Sequence, residues 1–280
     1  MTKINFTKMQ GLGNDFILIE KSEFDKVSEK FPEAAIKLCD RNFGIGADGI
    51  FIPVESAKAD LGWLFYQSDG STAQMCGNGM RCFAKFVYDK KIIDKKEFSV
   101  ETLAGIIVPE VLDDGKVKVN MSKPVLTPEK IPFKGTDSLN CKLEACGKDF
   151  LVNAVSMGNP HCVIFTDGDA KTLAKEFGDA LEHHPLFPEK TNVEFVNILS
   201  NSEISVDVWE RGCGITLACG TGACASAVAA ILNGHCNNKV KVNLPGGVLT
   251  IEWAGNLQNP DFDVFMTGDA QYVFEGTIDV

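Results

Sequence analysis

The chain has 280 residues, 45% of them hydrophobic and 23% charged, with a formal net charge of −11 at pH 7. This is the composition of a folded globular protein and excludes a disordered or low-complexity polymer. The acidic balance, with no run of Lys or Arg to override it, speaks against nucleic acid and anionic membrane surfaces as partners, and no apolar run approaches the roughly 18 residues of a membrane span.

The opening segment MTKINFTKMQGLGNDFILIE lacks a basic flank followed by an uninterrupted apolar stretch, so the sequence reads as cytoplasmic. Ten cysteines in such a chain are expected to be reduced and mostly buried as small apolar residues. With no C-x-x-C pair and only four scattered histidines, no metal site is expected.

In chain order, a turn at Gly13-Asn14 leads into the strand-like DFILIE. Then come a helix-like AAIKLCDRNF and the strands GIFIPV and GWLFYQ. MCGNGMRC follows, with Cys76 just ahead of a helix that places Met80, Phe83, Phe86 and Val87 on one face and Arg81, Lys85 and Asp89 on the other. FSVETLAGIIVPEVL and KVKVNM read as further strands.

A second turn, Gly158-Asn159, opens another set of strands: CVIFT, NVEFVNIL and EISVDVWE. LACGTGACA then places Cys219 ahead of ACASAVAAILNG, which is small or apolar all round and stops at Gly234, as a buried helix would. KVKVNL, GVLTIEW and DVFMTGDA complete the strands.

The chain is therefore written twice. Cys76 and Cys219 lie 143 residues apart, Asn14 and Asn159 lie 145 apart, and each copy runs from a Gly-Asn turn through strands to a Cys-Gly-x-Gly helix start. The expected fold is α+β: two pseudo-symmetric halves, each a mostly antiparallel or mixed, barrel-like sheet around a central helix, with the active site in the interdomain cleft. The expected boundaries are 1–120, completed by 265–280, and 121–264.

Familiar motifs fail on context. GIGADG, Gly44 to Gly49, has the letters of a dinucleotide loop, but it follows a helix and precedes a strand. GTGACA opens a helix, yet no Asp or Glu occurs between Gly222 and Ile251 to bind a ribose. Nucleophile-elbow, zinc-protease and P-loop patterns are absent from the sequence.

A thiol at a helix N-terminus is expected to ionise more readily, because unpaired amides and the helix dipole favour the thiolate. The same amides, beside Gly77, Gly79, Gly220 and Gly222, suit a carboxylate. Two such thiols flanking one small molecule would let one sulfur remove a proton from the carbon beside the carboxylate while the other delivers one to the opposite face. A thiol redox or metal-storage protein, or an epimerase for another amino acid, would use similar cysteines.

GLGNDF, DGSTAQMCGNGMRC, SMGNPH, WERGCGITLACGTGACA and LPGG resemble, in order and along nearly the whole chain, the signatures of the diaminopimelate epimerase family. The resemblance implies cofactor-independent interconversion of LL- and meso-diaminopimelate on the route to lysine and peptidoglycan. It makes Cys76 and Cys219 the acid/base pair, and it assigns Gly77, Asn78, Gly220 and Thr221 to the reacting α-carboxylate and amine. It assigns Asn14, Gln67, Asn159, Asn192, Glu210 and Arg211 to other substrate contacts, gives His161 and Glu210 the tuning of the cysteines, and suggests a homodimer. Gln67 departs from the family's usual Asn, and Gly49 stands where some members have Gln.

Overall fold

In the computed structural model, which describes residues 2–72 and 76–280, the chain divides into one unit of Met1–Val119 with Gly268–Val280 and a second of Asn120–Thr267. Ala73, Gln74 and Met75, part of the DGSTAQMCGNGMRC motif, lie outside the described residues.

The elements in chain order begin with β1 (Lys3–Gly11), β2 (Asn14–Leu18), α1 (Lys21–Phe24), α2 (Phe31–Cys39), β3 (Gly49–Val54) and β4 (Leu61–Gln67). Then come α3 (Gly77–Asp89), β5 (Val100–Thr102), β6 (Gly105–Ile107), β7 (Pro109–Val111) and β8 (Val117–Asn120). Next are β9 (Cys141–Ala145), β10 (Lys148–Ser156), β11 (Pro160–Phe165), α4 (Ala170–Glu182), β12 (Asn192–Ser200), β13 (Glu203–Glu210) and β14 (Gly214–Ile215). The chain ends with α5 (Gly220–Leu232), β15 (Lys239–Leu244), β16 (Gly247–Trp253), β17 (Val264–Gly268) and β18 (Gln271–Asp279).

The first unit holds a sheet in the order β18-β1-β2-β3-β4-β5-β6, and the second orders its strands β17-β16-β15-β13-β12-β11-β10-β9. Their pairings correspond strand for strand. β1 is antiparallel to β18 and β2, as β10 is to β9 and β11. β2 runs parallel to β3, as β11 does to β12, and β3–β4 is antiparallel like β12–β13. A second parallel pair, β4–β5 or β13–β15, precedes a last antiparallel one, β5–β6 or β15–β16.

Parallel neighbours need a crossover, and helices supply it: α1 and α2, or α4, join the first parallel pair, and α3 or α5 joins the second. The pseudo-symmetric α+β fold follows from this shared order. Each sheet stays open rather than closing as a barrel, since among the described residues β18 does not pair with β6, nor β17 with β9.

Local sequence explains the framing turns. Leu12 and Gly13 both have positive φ, 58° and 84°, the two-residue hairpin turn that matches strand twist. In the second unit Gly158, at φ 94°, takes the corresponding bend before Asn159. α3 packs against β1, β2, β3 and β7, and α5 against β10 to β13, β15 and β16.

Several elements escape the hydrophobic pattern of the sequence. β1, β9, β10 and β18 carry Lys, Asn, Asp or Glu among their apolar residues, which hides the alternation. α4 is an amphipathic helix capped by Asp169, whose carboxylate accepts the Lys171 and Thr172 amides, and it buries Ala170, Ala174, Phe177 and Leu181. Arg81 does not share the solvent face of α3: it is fully buried, with its Nη1 donating to Asn78 Oδ1 at 2.9 Å and its Nε to the Asp269 carbonyl at 3.1 Å.

None of the ten cysteines forms a disulfide among the described residues. Cys39, Cys82, Cys162 and Cys224 are buried as expected, but Cys146 and Cys213 are exposed and Cys141 and Cys236 half-buried, so packing does not account for those four. Burial pushes the Cys39 and Cys82 thiols up to about 12, which keeps them inert.

In the second unit, Gly178 of α4 lies against Trp209 of β13, where a Cβ would meet three indole and side-chain carbons at 2.6–2.7 Å. The ring is also held by its Nε1 donating to Glu182 Oε2 at 2.8 Å. Gly178→Ala should therefore destabilise the fold by about 1–3 kcal/mol, checked by chemical denaturation.

Candidate active site

Each unit places a cysteine at the start of its long helix by the same local device. Cys76 and Cys219 are N-cap residues with extended backbones, φ −144° and −114°, and each sulfur accepts the amide of the third helical residue, Gly79 or Gly222, at 3.3 Å. Sulfur thus does the work usually given to a Ser, Asp or Asn oxygen at that position. Close approach demands the glycines: a Cβ on Gly79 would lie 2.3 Å from the Phe51 ring, and one on Gly222 would lie 2.7 Å from Glu194 Oε1. Gly77 and Asn78 open α3, and Gly220 and Thr221 open α5, at the positions where a helix supplies no intrahelical acceptor for its amides.

In the first unit the structure brings Asn14, Cys76 and Asn78 together. Asn14 Oδ1 accepts from the Cys76 sulfur at 3.6 Å and from Asn78 Nδ2 at 3.4 Å. Asn14 Nδ2 donates to Asp48 Oδ2 at 2.5 Å, and Arg41 bridges Asp48 and Asp15 from outside. The Asn14 amide is held from both ends, which fixes its orientation. Arg41 and Lys8 draw the Asp15 carboxyl down to about 2 although burial opposes them. Gln67 is not part of this group; it is exposed at the end of β4, and its amide bonds Ser71 Oγ at 2.8 Å.

The second unit gathers a larger set. His161 is fully buried on β11, with Nε2 3.0 Å from Asn159 Oδ1 and Nδ1 2.7 Å from Glu194 Oε1. Asn192 donates from Nδ2 to the Pro160 carbonyl at 2.9 Å and accepts the Arg211 amide at 3.0 Å. That ties β12 to the turn after β13. The Arg211 guanidinium is exposed and donates to the Glu189 carbonyl at 3.1 Å. Glu210 accepts a 2.5 Å hydrogen bond from Thr216 Oγ1, and Thr221 Oγ1 lies 3.4 Å from the Cys219 sulfur.

The electrostatics of Cys219 run against the expectation of an easily ionised thiol. Burial pushes it well above the ordinary thiol range, and the Glu210 and Glu194 carboxylates push the same way, while the Thr221 hydroxyl and Gly222 amide pull back less strongly. Desolvation and two neighbouring carboxylates outweigh the helix dipole, so Cys219 is a thiol at neutral pH. Burial likewise raises Glu210, with Glu194 adding to it and Thr216 opposing.

Sequence reasoning missed Glu194, Thr216 and Asp48. Glu194 sits inside the strand-like NVEFVNIL, where alternation gives no sign that its side chain is buried against a histidine. Among the described residues, the group with metal-ligand spacing is Asp179, Glu182 and His183. It contains none of the expected site residues, and the Glu182 carboxylate already accepts from Trp209 and Gly212.

Solved structures share the architecture. A PhzF-family phenazine biosynthesis protein from Bacillus anthracis matches with TM-score 0.70 at 13% identity, covering 100% of both chains. A hydroxyproline epimerase from Agrobacterium vitis matches with TM-score 0.66 at 13% identity, covering 99% of this chain and 92% of that one. Closer likeness lies in sequence. The diaminopimelate epimerase of Carboxydothermus hydrogenoformans is 49% identical over 275 residues, 98% of each chain. The chloroplastic diaminopimelate epimerase of Oryza sativa subsp. japonica is 45% identical over 287 residues, 98% of this chain and 80% of that protein. The family model described as diaminopimelate epimerase matches residues 6–127 and 153–273, one segment in each repeat, and with relatives of nearly equal length at almost half identity this places the chain in the diaminopimelate epimerase family.

Proposed function

We propose that this protein is an amino-acid epimerase that interconverts LL- and meso-2,6-diaminopimelate by a cofactor-independent, two-base thiol/thiolate mechanism, in lysine and peptidoglycan precursor synthesis. Membership of the family supports the substrate and the isomerase class. The observation that carries the mechanism is the repeated cysteine-capped helix start, one per unit.

In this reading Cys76 and Cys219 are the catalytic pair. One, as thiolate, removes the α-hydrogen. The other, as thiol, delivers a proton to the opposite face, and the centre inverts. Cys219 is the resting thiol, a role supported by its burial among carboxylates. The first-turn amides of Gly77, Asn78, Gly220 and Thr221 bind the α-carboxylate and stabilise the charge that spreads onto it as the carbon loses its proton.

Asn14, Asn159 and Asn192 present fixed amides to the substrate, and Arg211 and Gln67 take its distal carboxylate and amine. His161 and Glu210 set the readiness of the cysteines to exchange protons. The domain reading, with halves at 1–120 plus 265–280 and 121–264, belongs to the same proposal. So does a cytoplasmic location, for which ten cysteines outside any disulfide are the support; no helix among the described residues is long and apolar enough to cross a membrane.

The proposal extends to a homodimer. β18 is an edge strand that pairs with β1 alone among the described residues, and it exposes Tyr272, Val273 and Phe274 in a row. Such an edge invites a second copy. Val273→Lys should shift the chain from dimer to monomer in sedimentation velocity; a wild-type chain that sediments as a monomer at micromolar concentration would remove this part of the reading.

Incubation with LL-diaminopimelate in deuterated water should place deuterium at one α-carbon, read by mass spectrometry. Cys76→Ala and Cys219→Ala should each lower turnover by about 10²–10⁴-fold. Full turnover in either variant contradicts the two-thiol mechanism. The thiol form of Cys219 also sets a pH sign: in the direction where Cys219 donates, activity should hold through neutral pH and fall only as alkaline conditions strip its proton.

A further inference from the structure

At one corresponding pair of buried positions the two repeats carry different chemistry. In the first unit Phe16 on β2 and Phe51 on β3 meet edge to face, ring centroids 5.1 Å apart, and Phe51 also stacks on Trp63 and Phe65. Phe16 is registered opposite Gly49, two residues before Phe51. In the second unit His161 on β11 is registered opposite Asn192, two residues before Glu194. His161 and Glu194 therefore occupy the places of Phe16 and Phe51.

The helices agree with this correspondence. The Phe51 ring blocks a Cβ at Gly79, and the Glu194 carboxylate blocks one at Gly222, the two glycines whose amides bond the capping sulfurs. An aromatic pair fills this floor in one repeat, so packing alone does not call for ionisable groups in the other.

A buried ionisable pair is commonly less stabilising than a well-packed apolar one. His161 and Glu194 are both fully buried, and Glu194 Oε2 has no hydrogen-bond partner among the described residues. That orphaned oxygen makes the arrangement costlier still.

Proton accounting identifies what the pair gains. Asn159 Oδ1 accepts, so His161 Nε2 carries a hydrogen, and the 2.7 Å contact between Nδ1 and Glu194 Oε1 requires a second proton between them. The pair as a whole is neutral, with one proton that can rest on nitrogen or on oxygen.

We infer that Glu194 is a positioning residue for the epimerisation, sharing with His161 a proton that moves between Nδ1 and Oε1 as the charge on the Cys219 sulfur changes during turnover. The inference rests on the acid/base role proposed for Cys219. When Cys219 gives its proton to the substrate carbon and becomes negative, the shared proton lies on Oε1, so that no second anion from Glu194 stands beside the thiolate. When Cys219 takes a proton back, the shared one returns to Nδ1. No proton enters or leaves the pair.

The groups that bear on the Cys219 sulfur include Glu194 from β12, Glu210 from β13, and the Thr221 hydroxyl and Gly222 amide of α5; His161 from β11 acts on Glu210.

Glu194→Gln in the full chain tests this. Glutamine keeps the shape and can donate an amide hydrogen to Nδ1, but it has no proton to release and no negative charge. With LL-diaminopimelate, kcat should fall by at least about tenfold while KM stays within about twofold. The alkaline limb of kcat/KM, where Cys219 loses its proton, should move down by about one pH unit.

A Glu194→Gln enzyme with wild-type kcat and an unmoved pH profile overturns the inference while the wild type still exchanges its α-hydrogen. A wild type that fails to exchange takes down the parent reading as well. If the variant does not fold, proton NMR of the wild-type chain with nitrogen-15 histidine decides. A strongly deshielded Nδ1 proton on His161 is the expected signal, and its absence overturns the inference.

Discussion

The sulfur that caps each long helix is the contact on which the rest of the site depends. It requires an extended cysteine and a glycine three residues later whose amide reaches the sulfur at 3.3 Å. A sulfur in that position is oriented by a backbone donor. Everything asked of the cysteines, whether proton transfer or charge tuning, is asked of atoms whose placement the backbone decides.

The strand order beneath serves that placement. Both units use the same succession of antiparallel and parallel pairs, and in both the parallel neighbours are joined through helices. The crossover brings the helix start beside the strands that carry the floor residues, Phe16 and Phe51 in one unit and His161 and Glu194 in the other. One scaffold therefore yields two sulfurs with different surroundings. The floor is aromatic in one unit, while in the other Glu194 of the histidine–glutamate floor, together with burial and Glu210, holds Cys219 as a thiol.

That difference suits inversion chemistry. Two chemically equal sulfurs would share a proton without preference, whereas the proposed mechanism starts from one protonated and one deprotonated group. The raised thiol of Cys219 comes from burial and from side chains on β12 and β13, while the capping geometry of the two cysteines is matched. The buried Arg81 shows the same economy on the first helix: it joins Asn78 to the Asp269 carbonyl and so ties the opening turn of α3 to the returning end of the chain.

The sequence by itself determined the duplication, the mixed α+β class, both cysteine-capped helices and the family, because each rests on local spacing: a Cys-Gly-x-Gly start, an apolar face at helical period, a Gly-Asn turn. It did not reveal α4, which leaves its mark in amphipathic spacing without a neighbouring motif, or β18, whose residues are mostly exposed at a sheet edge. It also misplaced Arg81 and took the cysteine at a helix start for an easily ionised one. Only the tertiary structure decided those points. Burial and the approach of side chains from neighbouring strands, Glu194 and Glu210 around Cys219 above all, set the charge of a group, and no spacing along the chain encodes a desolvation or a neighbour across a sheet.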